Sequence, residues 1–139
     1  HQDVSGEIRR PEVEAAVSQV AKIAGVREAL VSQQQRMAKR GRMVMVGRDI
    51  GTVVLPQAGL KIFLTASAQE RARRRYLELA EMGRADYDSI LTDLKRRDEI
   101  DSGRTISPLH PAPEAKIIDT EGLSLEEVVA GILNIIERR

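Results

Sequence analysis

The chain has 139 residues, 22 Lys and Arg against 21 Asp and Glu, three aromatic residues and no Cys. That length suits one domain with a useful core, and a net charge of +1 excludes a surface built throughout for nucleic acid or membrane, so any anion site is local. Disulfides and thiolate chemistry are excluded, the two His residues stand too far apart for a His-based metal site, no apolar run reaches membrane-span length, no signal-peptide pattern opens the chain, and Phe63, Tyr76 and Tyr87 are too few for a base-stacking platform.

Residues 1–10 are polar and aperiodic, and Pro11 suits the first position of a helix. Val13, Ala16, Val17, Val20 and Ile23 then recur at helical spacing. Gly25 interrupts, and 26–39 resumes with Ala29, Leu30 and Met37, giving either two helices or one kinked at Gly25. Gly41 and the basic residues of 38–42 suit a helix carboxyl end.

Met43–Thr52, MVMVGRDIGT, is the stretch on which the chain turns. Its uncharged apolar start predicts a strand covered on both faces, as in a parallel sheet. Arg48 and Asp49 would then stand at the carboxyl end, where α/β sheets bind ligands, with Gly47 and Gly51 letting the backbone turn and approach a ligand. A solvated Arg-Asp pair in a tight turn is the plain alternative. Leu60–Thr65, LKIFLT, is a second strand of the same kind. Ser67 with Glu70 three places on is a capping-box signature and predicts a helix from about Ala68 to Glu81, ended by Gly83 and carrying Arg71, Arg73, Arg74 and Arg75. Another helix is expected over Tyr87–Asp98, then a Pro-rich loop over 102–113, a third buried strand over Lys116–Asp119, and a helix over Leu125–Glu137 capped by Gly122 and Ser124. Strands alternating with helices imply parallel pairing and an α/β layered fold, though three strands are few for so many helices.

Arg97, Asp101 and Arg104 are spaced by four and then three, so a helix would set cation, anion and cation on one face. Two guanidiniums can clamp a phosphate while a carboxylate takes ribose hydroxyls, because Arg offers planar paired donors and Asp only acceptors. An ordinary solvated ion-pair face is the alternative. Arg71–Arg75 reads as a solvent-facing helix paired with Glu70 and Glu78, or as cations for a phosphate-transfer site or a nucleic-acid backbone. His110 reads as a loop residue, and Tyr76 and Tyr87 as packing residues.

GRDIGTVVLP, LKIFLTAS-x-x-ERARRR, LKRRDEIDSGR and SPLHPAPEAKIIDTEGLSLEEVV, with DVSGEIR and VREAL upstream, occur in that order across almost the whole chain. Together they make it resemble bacterial cytidylate (CMP/dCMP) kinase. The resemblance implies a P-loop nucleoside monophosphate kinase fold, a parallel sheet with flanking helices, and transfer of the ATP γ-phosphoryl group to CMP or dCMP with Mg²⁺ in the cytoplasm. It implies that Ser18 and Arg27 face the cytosine with Asp49 nearby. Arg48, Arg97 and Arg104 would hold the CMP phosphate as the catalytic cations, and Asp101 would meet the sugar. Arg71, Arg73, Arg74 and Arg75 would lie in or beside a lid, and 109–115 near the adenine of ATP.

The family opens with a strand and a P-loop, yet no GxxxxGK followed by Ser or Thr occurs in this sequence. The expectation is therefore a fold incomplete at the N-terminus, the carboxyl-terminal portion of such a kinase. It would lack the nest of amides for ATP and the Mg²⁺-binding hydroxyl, hold no metal ligand of its own, and be inactive alone. The family's central strand would fall between 43–46 and 60–65. One partial domain follows: 1–42 ends the NMP-binding part, 43–67 gives core strands, 68–107 the lid and flanking helices, and 108–139 the last core strand and helix. Partners would be nucleotides, not nucleic acid or membrane, with a monomer if the chain is complete and self-association through open strand edges if it is truncated. A non-catalytic nucleotide-binding module and a small RNA-binding domain using Arg71–Arg75 are the competing readings.

Overall fold

The computed structural model describes residues 3–21, 23–81, 83, 85–103 and 109–138. These fall into two compact units, one within His1–Pro56 and Ile100–His110, the other within Gln57–Glu99 and Pro111–Arg139.

In the first unit a 3₁₀ turn, Glu7–Arg9, leads into α1 (Pro11–Val20), with Pro11 at the start as its locked φ and missing N–H favour. α2 (Ala24–Ala38) is separate. The break therefore falls before Gly25, at Ile23, whose extended backbone caps α2 and whose carbonyl accepts from Arg27 N–H at 3.0 Å. Gly25 sits in the first turn of α2, where amides need no helical partner. Gly41 (φ +74°) and Arg42 (φ +46°) then turn the chain in the left-handed region.

The strand expected over Met43–Thr52 is not formed. Residues 43–46 are irregular, with Val44 and Val46 each 92% exposed, and Ile50–Val54 closes into a single π turn. A strand exists only through the ladder it shares with a neighbour. Among the described residues the sheet contains two strands, neither of them this segment. The π turn bonds Val54 N–H to the Asp49 carbonyl at 3.3 Å and Leu55 N–H to the Ile50 carbonyl at 2.6 Å, and it buries Val54. Such turns recur at functional sites.

In the second unit β1 (Ile62–Thr65) and β2 (Lys116–Asp119) pair in parallel, Ile62 opposite Lys116 and Thr65 opposite Asp119. The expected three-stranded sheet is thus two-stranded among the described residues, for the reason just given, and its strands are not buried on both faces as expected, since Leu64 and Ile117 are exposed. α3 (Ala68–Ala80) follows β1, and Ser67 Oγ accepts from Glu70 N–H at 3.0 Å as the capping signature requires. The box is completed differently: Glu121 accepts from Ser67 N–H at 2.8 Å, and the Glu70 carboxylate turns to two arginines. Gly83, at φ +67°, donates its N–H to the Ala80 carbonyl and ends the helix. α4 (Tyr87–Ser102) runs one turn past the expected end at Asp98. Tyr76 and Tyr87 meet edge to face, centroids 6.3 Å apart, as packing residues. α5 (Leu125–Glu137) has the expected bounds, with a full capping box between Ser124 and Glu127. No helix among the described residues is long and apolar enough to cross a membrane.

Candidate functional site

Asp49 and Arg48 are neighbours in sequence whose side chains part to two different partners, and both partners belong to the first unit. Arg27, on α2, forms an ion pair with Asp49, and the two side chains are 13% and 18% exposed. Arg48 pairs with Asp101, at the end of α4, whose side chain is wholly buried while that of Arg48 is 36% exposed. The backbone prepares both contacts. The π turn begins on the Asp49 carbonyl, which also accepts from the Thr52 hydroxyl at 3.3 Å, and the Asp101 carbonyl accepts from Leu109 N–H at 3.1 Å. A Cβ at Gly47 would stand 2.8 Å from Ile50 Cγ1, so the room left by this glycine is taken up by Ile50.

The structure therefore gathers four of the sequence-predicted residues, Arg27, Arg48, Asp49 and Asp101, into two acid-base pairs with no net charge. Arg48 keeps an accessible edge, and each carboxylate holds a guanidinium in place. A bound phosphate dianion could take the donors of Arg48, freeing Asp101 to accept from hydroxyls, because carboxylate and phosphate present the same paired acceptors to an arginine fork. Arg97 lies on α4 four residues before Asp101. Arg104 and the Ser18 side chain lie outside the described residues.

The arginines of α3 belong to the second unit, and each has a carboxylate. Arg71 grips Asp98 with both terminal nitrogens, at 3.0 and 2.5 Å, and the hydrogen bond to Asp98 raises its pKa. Arg73 and Arg74 share Glu70, and Arg75 pairs with Glu78. The hydrogen bond from Arg73, with Arg74 adding to it against the opposing effect of desolvation, holds the Glu70 carboxyl down at about 2.

Sequence reasoning did not single out the pair Lys61–Glu114. Lys61 is 9% exposed, and its hydrogen bond lowers the Glu114 pKa. Together with Leu60, Ile135 and Arg138 they line an open pocket of about 510 Å³ at the amino ends of β1 and β2, away from the strand ends that bind ligands in α/β folds. A charged residue at the mouth of an otherwise apolar strand was the available sign. Among the described residues no group of three or more His, Cys, Asp or Glu is placed to hold a metal ion.

A family model described as cytidylate kinase matches residues 1–138. The chain is 53% identical over 137 residues to a cytidylate kinase of Desulforamulus reducens, covering 98% of this chain and 62% of that protein. It is 50% identical over 138 residues to one of Enterococcus faecalis, covering 99% and 61%. A third, of Mycobacterium leprae, is 50% identical over 140 residues, covering 99% and 63%. The chain thus spans a little over three fifths of the length of the curated relatives it matches.

Proposed function

The chain belongs to the cytidylate kinase family, and from that premise we propose that it is the acceptor-nucleotide part of an enzyme that passes the γ-phosphoryl group of MgATP to CMP or dCMP. The observation that carries this reading is the doubled acid-base arrangement Arg27–Asp49 and Arg48–Asp101 beside the π turn. Arg48 holds the phosphate of CMP together with Arg97 and Arg104, and Asp101 takes the sugar hydroxyls. Arg27 and Asp49, with Ser18, face the cytosine. A carboxylate ordered by a guanidinium is an acceptor for the exocyclic amine that distinguishes cytosine from uracil.

The reaction asks little covalent chemistry of these residues. An oxygen of the CMP phosphate, already ionised at neutral pH, attacks the γ-phosphorus while the bond from that phosphorus to the bridging oxygen of ADP breaks. No base is needed to remove a proton. What the protein supplies is alignment and positive charge against two phosphates brought together, which is the role of the arginines. Mg²⁺ enters with ATP as part of the substrate. No P-loop motif occurs in this sequence, so we assign the ATP phosphate cradle to residues outside it, as the greater length of the relatives allows. In this reading residues 1–42 complete the acceptor side, 43–67 the sheet, 68–107 the lid with its flanking helices, and 108–139 the last strand and helix, in a cytoplasmic enzyme.

Arg48→Ala in the full-length protein tests the assignment. Loss of a donor set aimed at the transferring groups predicts a fall of about 10²–10³-fold in kcat/KM for CMP. Near-normal kinetics in that variant would refute it.

A further inference from the structure

We infer that Arg74 is a positioning residue that fastens α3 to the turn after β2, and is not one of the cations offered to a nucleotide. Its three nitrogens are committed to fixed acceptors. Nε–H donates to Glu70 Oε1 at 2.9 Å, Nη1 to the Thr120 hydroxyl at 3.1 Å, and Nη2 to the Thr120 carbonyl. Thr120 is 5% exposed and is itself anchored. Its N–H and its hydroxyl both donate to the Thr65 carbonyl, at 2.8 and 2.9 Å. One guanidinium thus joins the second turn of α3 to the carboxyl ends of β2 and, through Thr120, of β1. A second fastening lies beside it, where Glu121 accepts from both the N–H and the hydroxyl of Ser67 at 2.8 and 2.9 Å.

Its neighbours on α3 are placed differently. Arg73, with its side chain 57% exposed, and Arg75, 43% exposed, pair with Glu70 and Glu78 of the same helix. Glu70 keeps Arg74 when Arg73 leaves it, so Arg73 can reach an anion without orphaning a buried carboxylate. The four arginines grouped by the sequence therefore divide: Arg73 and Arg75 pair within α3, Arg71 ties it to Asp98 on α4, and Arg74 ties it to the sheet and sets the direction in which α3 leaves it, and with it the direction in which Arg73 points. The turns after parallel strands are where ligands are met in such folds. A lysine cannot replace Arg74, because a point charge does not span a carboxylate, a hydroxyl and a carbonyl at once.

The catalytic part of this inference rests on the kinase reading above, and the test separates the two. In the full-length protein, Arg74→Ala, Arg74→Lys, Thr120→Val and the double variant Arg74→Ala/Thr120→Val are compared by steady-state kinetics and by amide hydrogen exchange. The expectation for both Arg74 variants is kcat lowered about tenfold or more with KM for ATP within about threefold. Exchange should be faster over residues 66–76 and 119–124. Thr120→Val should move both readouts the same way, and the double variant should be no worse than Arg74→Ala, as expected of partners in one interaction. A raised KM for ATP that Arg74→Lys restores, with exchange unchanged, makes Arg74 a ligand cation and overturns the inference. Faster exchange with an unaltered kcat reduces it to plain stability and also overturns it. An unsubstituted protein without kinase turnover defeats the kinase reading alone, since the exchange coupling of Arg74 to Thr120 then still decides the fastening.

Discussion

Arg48→Ala also carries a stability prediction that does not depend on the reaction. Asp101 is wholly buried, and Arg48 reaches it from a position 36% exposed. Removing one partner of a buried pair costs about 3–5 kcal/mol, most of it because the buried charge that stays is less well compensated. Water reaches the arginine end and screens part of that interaction, which brings the expectation to about 2–3 kcal/mol. Urea denaturation of the purified protein reads this as a midpoint lower by about 1–2 M at an unchanged slope. Asp101→Asn added to Arg48→Ala should recover a large part of the loss, since a neutral amide is less costly to bury than a carboxylate. A loss below about 0.5 kcal/mol in Arg48→Ala, the range of ordinary surface substitutions, would refute the reasoning. So would a double variant less stable than Arg48→Ala.

Glu70 gives a pH prediction. Its folded pKa of about 2 lies below the unfolded value of 4.5, so its ion pairs contribute stability that is full above about 4.5 and is lost as the pH falls from there toward 2. Acid titration of Glu70→Gln should lack that part of the decline, and an unchanged acid limb in the variant would show that Arg73 and Arg74 do not hold the carboxylate in solution. Ser124→Ala removes the hydroxyl of a complete capping box and should cost about 1 kcal/mol by chemical denaturation, with α5 fraying first in amide exchange. No measurable change would mean that α5 starts elsewhere.

The parts of the fold that were legible in the sequence are those decided over a few residues. Ser124 with Glu127 fixes the start of α5, Pro11 that of α1, and the apolar pair Ile117–Ile118 set between Lys116 and Asp119 gives β2 its bounds. Met43–Val46 has the same composition as a buried strand and is not one among the described residues, because a ladder needs a neighbour that local composition does not supply. Gly25 drew the expected break two residues too late, since a glycine is costly in a helix interior but not in its first turn.

The candidate site divides the same way. The residue types at Arg48, Asp49, Arg97 and Asp101 are those a site for an anion bearing hydroxyls needs, and those of an ordinary ion-pair face as well. That Arg48 reaches Asp101, and Arg27 reaches Asp49, is a matter of long-range folding that spacing does not encode. The same holds for Arg74 and Thr120, which stand 46 residues apart. A run of arginines in sequence looks uniform, and only the fold separates Arg71 and Arg74, which reach Asp98 and Thr120 beyond their own helix, from Arg73 and Arg75, which pair within it.

The most direct measurement is product analysis after incubating the full-length protein with MgATP and, in turn, CMP, dCMP, UMP and AMP. Conversion of CMP or dCMP to the diphosphate with equal release of ADP, well ahead of UMP and AMP, is the predicted result. ATP consumed without a cytidine diphosphate, or no preference for the cytosine nucleotides, would contradict the assignment of Arg27, Arg48, Asp49 and Asp101 as a cytidylate site.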